Sequence, residues 1–166
     1  MRMKGFTLLE ILVVMVIMGI ILSFATLLID HSGEVRLMQR EARRLASVLM
    51  LASQEAVLQA KEIAVLLTPQ RYQFYVLENE QWQLIDKDDL LRSYTLPANL
   101  QLELRLEGEI MALKSAKMDQ PQLLLLSSGE LPLFEIILKS ELHRQIHYRL
   151  TSQFTGQIQV DRHETL

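Results

Sequence analysis

The residues of this chain that could do chemistry are few, and the four histidines are the first to consider. They are His31, His143, His147 and His163, and only His143 and His147 are close in sequence. On a helix, a four-residue spacing would let both imidazoles share a metal ion. The residues after Leu142 are strand-like, and a strand separates the two by roughly 13 Å at about 3.3 Å per residue, which is too far for one zinc ion. The sequence therefore predicts no metal site at this pair.

The acidic residues Asp86, Asp88 and Asp89 form a second candidate, because clustered carboxylates can bind calcium. The segment lacks the glycine and the spaced ligands of a calcium-binding helix-loop-helix, so we interpret it as an exposed loop. The chain has no cysteine, which excludes disulfides, thiolate catalysis and Cys-ligated zinc. It also has no nucleophile elbow, phosphate-binding loop, dinucleotide-binding glycines or HExxH motif. We expect a protein that is not an enzyme and binds no cofactor and no small-molecule substrate.

Glu10 is the third candidate, because it lies inside an apolar N-terminal stretch. The run over residues 11–29 contains no charged residue. Nineteen helical residues span roughly 28 Å at about 1.5 Å each, which matches the hydrocarbon thickness of about 30 Å. Arg2 and Lys4 precede the run, so the positive-inside rule keeps the N-terminus in the cytoplasm. We expect residues 6–29 to form a single membrane-spanning helix, with the rest of the chain outside the cytoplasm.

The glutamate itself has two explanations at this point. An ionised group at the centre of a bilayer helix costs roughly 2.5–3.5 kcal/mol, and less near the helix end, which makes Glu10 a functional candidate. The alternative is an interfacial position in the first helical turn, favoured by the helix dipole. An ordinary cleavable signal peptide is disfavoured, because the apolar run continues past residues 23–25, where a signal peptidase would cut.

Residues 4–10, with the sequence KGFTLLE, resemble the processing site of the type IV pilin-like family. The resemblance implies that residues 1–5 are a leader and that prepilin peptidase cuts between Gly5 and Phe6. It also implies that the peptidase methylates the new N-terminus at Phe6. The helix over residues 6–29 would then serve first as an inner-membrane anchor and later as the core of a filament.

Cleavage would change the charges of the N-terminal segment. The leader carries the basic residues Arg2 and Lys4, so its removal leaves the ammonium of Phe6 and the carboxylate of Glu10. Neither charge is stable alone among apolar helices. If Phe6 of one subunit meets Glu10 of its neighbour, each charge gains a partner and the pair fixes the axial offset between subunits. We therefore expect Phe6 and Glu10 to set subunit register.

A second helical pattern follows over residues 30–60. Its apolar positions recur at alternating spacings of four and three, as in an amphipathic helix, and they are Met38, Ala42, Leu45, Leu49, Ala52 and Ala56. Several of these side chains are small, which would let a β-sheet approach closely. The arginines of the opposite face are expected to be solvated, and they are Arg36, Arg40, Arg43 and Arg44.

Residues 61–166 show the pattern of a β domain. Leucines at positions 100, 102, 104 and 106 alternate with polar residues, which puts one leucine face inward. A hairpin is predicted over residues 63–77, and Trp82 is predicted to be a core anchor. Further strands are predicted at residues 110–114, 123–126, 134–139, 146–150 and 157–160. The predicted fold class is α+β, with a long N-terminal helix, transmembrane in its first half and amphipathic in its second, packed on antiparallel β-sheets.

Two stretches resemble the H-type minor pseudopilins of type II secretion systems. Residues 41–56 are similar to their first periplasmic helix, and residues 127–136 to a glycine-containing hairpin. The resemblance implies a structural subunit near the tip of a periplasmic pseudopilus, which supports export of folded proteins across the outer membrane. The implied partners are other minor and major pseudopilins, prepilin peptidase, the inner-membrane assembly platform and membrane lipid. The net charge of −3 offers no broad basic surface, so no nucleic-acid partner is expected.

Two alternative functions stay open from sequence alone. A minor pilin of a type IV pilus or DNA-uptake system would share the processing site and the general fold. A single-pass, membrane-anchored periplasmic binding module or enzyme would instead keep an uncut N-terminus and tolerate Glu10→Leu. The lack of any recognisable catalytic or ligand-binding motif counts against this second alternative.

Overall fold

The computed structural model describes residues 8–86, 88–113, 121–153 and 156–164, and for Leu22 and residues 24–32 it describes the backbone alone. These ranges contain a helix, α1 (Leu8–Gln59), and ten strands. The strands are β1 (Ile63–Thr68), β2 (Arg71–Glu78), β3 (Gln81–Leu84), β4 (Tyr94–Thr95), β5 (Leu100–Leu106), β6 (Glu109–Met111), β7 (Leu123–Leu125), β8 (Phe134–Ser140), β9 (Ile146–Ser152) and β10 (Ile158–Glu164). The chain divides into two compact units, residues 1–37 and 38–166.

The second half of α1 buries the apolar stripe that the sequence predicts. Each of its six residues is at most 1% exposed, and they are Met38, Ala42, Leu45, Leu49, Ala52 and Ala56. Burial of a side chain as large as leucine stabilises the fold by roughly 1.5–3 kcal/mol, whereas the alanines contribute mainly by letting strands approach the helix. This packing fixes the amphipathic part of α1 on the β-sheets.

Helix α1 ends in a Schellman motif centred on Ala60. The Lys61 amide donates to the Ala56 carbonyl at 3.0 Å, and the Ala60 amide donates to the Val57 carbonyl at 3.3 Å. The motif needs a residue in the left-handed conformation, and Ala60 has a φ of 52°. Glycine is the usual residue at this point, because a Cβ makes the conformation unfavourable by roughly 1–2 kcal/mol.

The first sheet has the strand order β3-β2-β1-β7, with β4 also paired to β2, and all its pairs are antiparallel. Strand β1 is central, and its residues 63–67 are all buried, as an uninterrupted apolar run predicts. Strands β2 and β3 are joined by Asn79 and Glu80, whose φ angles of 50° and 63° form a type I′ turn.

The second sheet has the order β10-β9-β8-β5-β6 and is also antiparallel throughout. The predicted alternation of β5 is confirmed for Leu100, Leu102 and Leu104, which are at most 2% exposed while the residues between them are only half-buried. Leu106, at the end of the strand, is itself only half-buried. Strand β7 belongs to the first sheet but lies between β6 and β8 in the chain. The chain therefore leaves the second sheet and returns to it.

The predicted strands all have counterparts in the structure, with different ends. Strand β6 stops at Met111, earlier than predicted, and residue 114 lies outside the described residues. Strands β3 and β4 were not predicted. The expectation that Trp82 is a core anchor is wrong, because it lies in β3 at the edge of the first sheet and is only partly buried. A short edge strand lacks a neighbour on one side that would cover such a ring.

Candidate functional site

The predicted processing residues Arg2, Lys4, Gly5 and Phe6 lie outside the residues that the structure describes. Glu10 is described, and it lies in the first turn of α1 with an exposed side chain. A carboxylate at this position interacts favourably with the positive end of the helix dipole. Its role in subunit register stays a prediction.

The helical segment after Thr7 exposes apolar side chains on all sides. Twelve large apolar residues between positions 8 and 21 are 44% to 83% exposed. A helix of a water-soluble domain buries an apolar stripe and shows a polar face, and residues 11–21 contain no polar side chain to form one. Within the described ranges, no helix is at once long enough and apolar enough to cross a membrane.

Arg44, on the exposed side of α1, contacts two tyrosines of the first sheet. Its guanidinium carbon is 3.5 Å from the centroid of the Tyr94 ring, and the guanidinium donates a hydrogen bond to the Tyr72 hydroxyl. The two rings lie 5.4 Å apart. Burial raises the pKa of Tyr72 to about 12, although the charge of Arg44 opposes the shift. Burial and a hydrogen bond to Glu41 raise the pKa of Tyr94.

Arg44 is exposed, as predicted for this face of α1, and it also contacts the first sheet. Arg36, Arg40 and Arg43 are exposed as well. Arg44 differs because β4, which no sequence pattern indicated, brings Tyr94 beneath its guanidinium. Arg44 therefore contributes a contact between α1 and the first sheet.

A loop after β7 fits closely against the end of α1. The Glu62 Oε1 atom accepts a hydrogen bond from the Ser127 hydroxyl at 2.7 Å, and Oε2 accepts one from the Ser127 amide at 3.2 Å. In the same loop Gly129 has a φ of 84°, and a Cβ there would lie 3.4 Å from Cγ2 of Val57. This loop begins the segment 127–136, which the sequence analysis compared with the glycine-containing hairpin of H-type pseudopilins.

The acidic loop has a structural role for one of its carboxylates. Asp88 Oδ1 accepts hydrogen bonds from the amides of Leu90 and Leu91 at 2.7 and 2.9 Å, and these bonds lower the pKa of Asp88. Among the described residues, no three His, Cys, Asp or Glu side chains converge where they could hold a metal ion. The expectation that the chain binds no metal stays a prediction.

The structure brings together two histidines that the sequence analysis did not pair. His147 on β9 lies directly opposite His163 on β10, and the rings stack with their centroids 5.4 Å apart and 14° between their planes. Burial lowers the pKa of His147, and so do the charges of His163, Arg149 and Lys139. Gly156 is the one residue of the sequence that could have indicated this pairing, because glycine favours a turn between the two strands. The position of the turn then fixes which residues of the hairpin lie opposite each other.

Two protein families match this chain. Residues 1–26 match the prokaryotic N-terminal methylation motif, and residues 41–156 match type II transport protein GspH. The first match contains the predicted processing site and Glu10. The second contains both stretches that resemble H-type minor pseudopilins.

Individual relatives agree with these matches. Type II secretion system protein H of Pseudomonas aeruginosa is 35% identical over 143 residues, which covers 80% of this chain and 81% of that protein. The protein of the same name from Aeromonas hydrophila is 27% identical over 151 residues, covering 84% of this chain and 82% of that protein.

Solved structures share the fold. The crystal structure of the minor pseudopilin EpsH from the type II secretion system of Vibrio cholerae matches with a TM-score of 0.66 at 24% identity, covering 79% of this chain and 97% of that one. The solution structure of Escherichia coli GspH gives 0.58 at 16% identity, covering 78% and 89%. The predicted helix packed on antiparallel sheets is thus confirmed. Because the GspH match spans more than half of the sequence, and the P. aeruginosa relative is more than 30% identical across most of both proteins, the chain belongs to the GspH family of type II secretion systems.

Proposed function

We propose that this chain is a minor pseudopilin of a type II secretion system with a structural role and no catalytic activity. It is anchored in the inner membrane by one N-terminal helix, its β domain is periplasmic, and it joins the tip of a periplasmic pseudopilus that supports export of folded proteins. The family match is the observation that carries this proposal. The exposed apolar segment of α1 supports the anchoring part.

The anchoring argument rests on the environment that the segment 8–21 requires. Exposed apolar surface is unfavourable in water by about 25 cal/mol per Å². A helix without a polar face is stable in lipid or in a bundle of similar helices. The Ser23 hydroxyl donates to the Gly19 carbonyl at 2.8 Å, which satisfies this polar group inside the helix, as an apolar environment demands. The charge-free run continues in the sequence to residue 29.

Processing is the second part of the proposal. Prepilin peptidase cuts between Gly5 and Phe6 and methylates Phe6, after Arg2 and Lys4 have held the leader in the cytoplasm. The match of residues 1–26 to the methylation motif supports this. The helix then passes from the membrane into the pseudopilus, where the Phe6 ammonium of one subunit pairs with Glu10 of another.

The partners follow from these steps. Prepilin peptidase and the inner-membrane assembly platform act on the N-terminal segment, and the β domain contacts other minor and major pseudopilins. Three exposed arginines of α1, Arg36, Arg40 and Arg43, are available near the membrane surface for lipid or protein contacts.

The N-terminal mass of the protein tests processing most directly. It is measured on protein purified from cells with active or inactive prepilin peptidase. We expect a chain that starts at N-methylated Phe6 when the peptidase is active, and the full leader when it is inactive or when Gly5→Ala is introduced. An intact Met1 beside an active peptidase, or a cut near Ala25, would contradict the proposal.

Glu10→Gln tests register separately from processing. The amide keeps the shape of the side chain and removes the charge, so the variant should stay in the membrane but lose crosslinking to neighbouring pseudopilins and fail to restore secretion. Glu34→Gln, on the same helix, is the matched control and should behave like the unmodified chain. Full secretion by Glu10→Gln would contradict the proposal that Glu10 sets subunit register.

A further inference from the structure

Strand β10 ends the second sheet, and one of its two edges has no neighbour among the described strands. It is last in the strand order and pairs with β9 alone in the part of the chain that the structure describes. It has seven residues. The other described strands that end a sheet have two to four residues each, and they are β3, β4, β6 and β7. The open edge of β10 is therefore unusually long for this fold.

An open edge of this length is a place where a strand of another chain can add to the sheet. Proteins commonly protect such edges with a proline, a bulge or a very short strand. Strand β10 contains no proline, and its pairing with β9 is continuous over all seven residues. It does carry charged residues, and their positions limit which strand can bind.

The hairpin between β9 and β10 shows which backbone groups of β10 point to the open edge. The Gln153 amide donates to the Gln157 carbonyl at 2.9 Å, so these two residues form a hydrogen-bonded pair. Such pairs alternate with non-bonded pairs along an antiparallel ladder. The odd-numbered residues of β10 therefore bond to β9. The N–H and C=O groups of the even-numbered residues point away from β9, and these residues are Ile158, Val160, Arg162 and Glu164.

The charges of β10 are confined to one part of the strand. Residues 156–160, with the sequence GQIQV, contain no charged residue, whereas residues 161–164 have the sequence DRHE. When two identical strands pair in antiparallel orientation, the first half of one lies against the second half of the other. Pairing centred on Val160 therefore sets every titratable residue of β10 opposite an uncharged one. Asp161 lies opposite Gln159 of the second copy, and Arg162 lies opposite Ile158.

The neighbouring registers are less favourable. Pairing centred on Asp161 or on Arg162 sets like charges directly opposite each other, which is destabilising. Pairing centred on Gln159 avoids like charges, but it reduces the overlap within β10 from five residue pairs to three. Pairing centred on His163 gives the same short overlap and sets the two imidazoles opposite each other.

The burial of Val160 favours the same register. Its side chain lies opposite the fully buried Leu150 of β9, but it is only half-buried because no described strand covers its other side. Val160 of a second copy would cover it. The carboxylates of Asp161 in the two copies become diagonal neighbours, and each lies opposite Arg149 of its own β9, which balances its charge.

We propose that β10 is the site at which two copies of this chain associate, through an antiparallel pair of β10 strands with Val160 on the two-fold axis. The hydrogen-bonded pairs are Val160 with Val160, and Ile158 with Arg162 on either side, and together they exchange about six backbone bonds. The two second sheets then form one continuous sheet. The contact is small, so the dimer is weak and depends on concentration. The proposal is independent of the proposed function, because it concerns copies of this chain alone.

Crosslinking of single-cysteine variants tests the register, because the chain has no cysteine of its own. The purified full chain is oxidised in detergent, and the covalent dimer is measured on a non-reducing gel. Val160→Cys sets two Cα atoms about 5.5 Å apart, which a disulfide can bridge. Arg162→Cys is the matched control, exposed on the same strand, because its two copies lie about 13 Å apart along the strands. We expect at least tenfold more dimer from Val160→Cys.

A charge at position 159 tests the same pairing without a covalent bond. Gln159→Asp sets a carboxylate opposite Asp161 of the second copy and should weaken self-association at least threefold. Gln159→Lys should strengthen it by a similar factor. Self-association of the full chain is measured by analytical ultracentrifugation in detergent. The same two changes at Gln54, which is exposed on α1, are the controls and should leave it unaltered.

The outcomes separate this contact from others. No self-association would overturn the proposal, and so would a Val160→Cys variant that crosslinks no better than Arg162→Cys. Self-association that neither change at Gln159 alters would show that the copies meet through another surface. The variants at Gln159 keep the test valid if Val160→Cys disturbs folding. In whole cells, a crosslink from Val160→Cys to a different protein would make that protein the occupant and would also overturn the proposal.

Discussion

Arg44 and Tyr94 join helix α1 to the first sheet through a cation–π contact of 3.5 Å. Tyr94 belongs to β4, a strand of two residues that pairs with β2 over Arg71 and Tyr72. So short a strand gains little from its own ladder of hydrogen bonds. The arginine that covers the tyrosine therefore contributes to holding β4 in the sheet.

Arg44→Ala should lower the free energy of unfolding by about 1 kcal/mol, because it removes a partly exposed cation–π contact and the hydrogen bond to Tyr72. The free energy of unfolding of Arg44→Lys should lie between those of the unmodified chain and Arg44→Ala, since an ammonium cannot stack as a planar guanidinium does. The measurement is urea unfolding of the full chain in detergent, followed by circular dichroism. Arg43→Ala, one position earlier and exposed, is the control. An equal loss of unfolding free energy in the two alanine variants would show that the contact with Tyr94 does not contribute to stability.

Ala60→Gly should stabilise the chain by about 1 kcal/mol, because glycine adopts the left-handed conformation without the strain that a Cβ imposes. For a protein of this size, that corresponds to a rise in Tm of about 2–4 °C. Gln54→Gly, six residues earlier and exposed inside the helix, should instead destabilise it. Thermal unfolding of both variants checks the prediction, and a loss of stability in Ala60→Gly would contradict it.

Tyr72 should make stability fall at alkaline pH. Its pKa is about 12 in the folded chain and about 10 when unfolded, so the folded state holds the proton more tightly. This contribution is complete below pH 10 and is lost as the pH rises through 12. Unfolding measured across this pH range should show a weaker decline in Tyr72→Phe. Tyr75→Phe, on the same strand, is the control and should keep the full decline.

Glu62→Ala should loosen the loop that begins at Ser127, because both of its hydrogen bonds to that residue are lost. We expect a loss of about 1–2 kcal/mol, since two bonds to a charged acceptor disappear. A double-mutant cycle with Ser127→Ala isolates the hydroxyl bond, and hydrogen exchange of the Gly129 amide follows the loop itself. Additive losses in the cycle would show that Glu62 and Ser127 act independently.

Periodicity predicted the long elements of this fold for simple physical reasons. The stripe from Met38 to Ala56 and the leucines of β5 repeat often enough to define which face is buried. Strand β4, with two residues, contains no period, and the turn before β3 uses Asn79 and Glu80 in left-handed conformations without a glycine to mark it. Such elements depend on neighbours that the local sequence does not show.

The candidate sites also differ in how much of each the sequence could predict. The processing site consists of consecutive residues, so its motif is visible in the sequence. The stacked pair His147 and His163 comes instead from two neighbouring strands, β9 and β10. The sequence does not show which residues of two strands lie opposite each other, so the register of the sheet was needed to find this pair.

The position of β7 has a consequence for how this domain folds. Because the chain leaves the second sheet after β6, adds β7 beside β1, and then returns as β8, neither sheet can be completed while the other is absent. The meander β8-β9-β10 is local in sequence and should form early, whereas β5-β8 and β1-β7 close long loops and should form late. The most protected amides of β1 and β8 should therefore exchange with solvent at one common rate, through a single global opening.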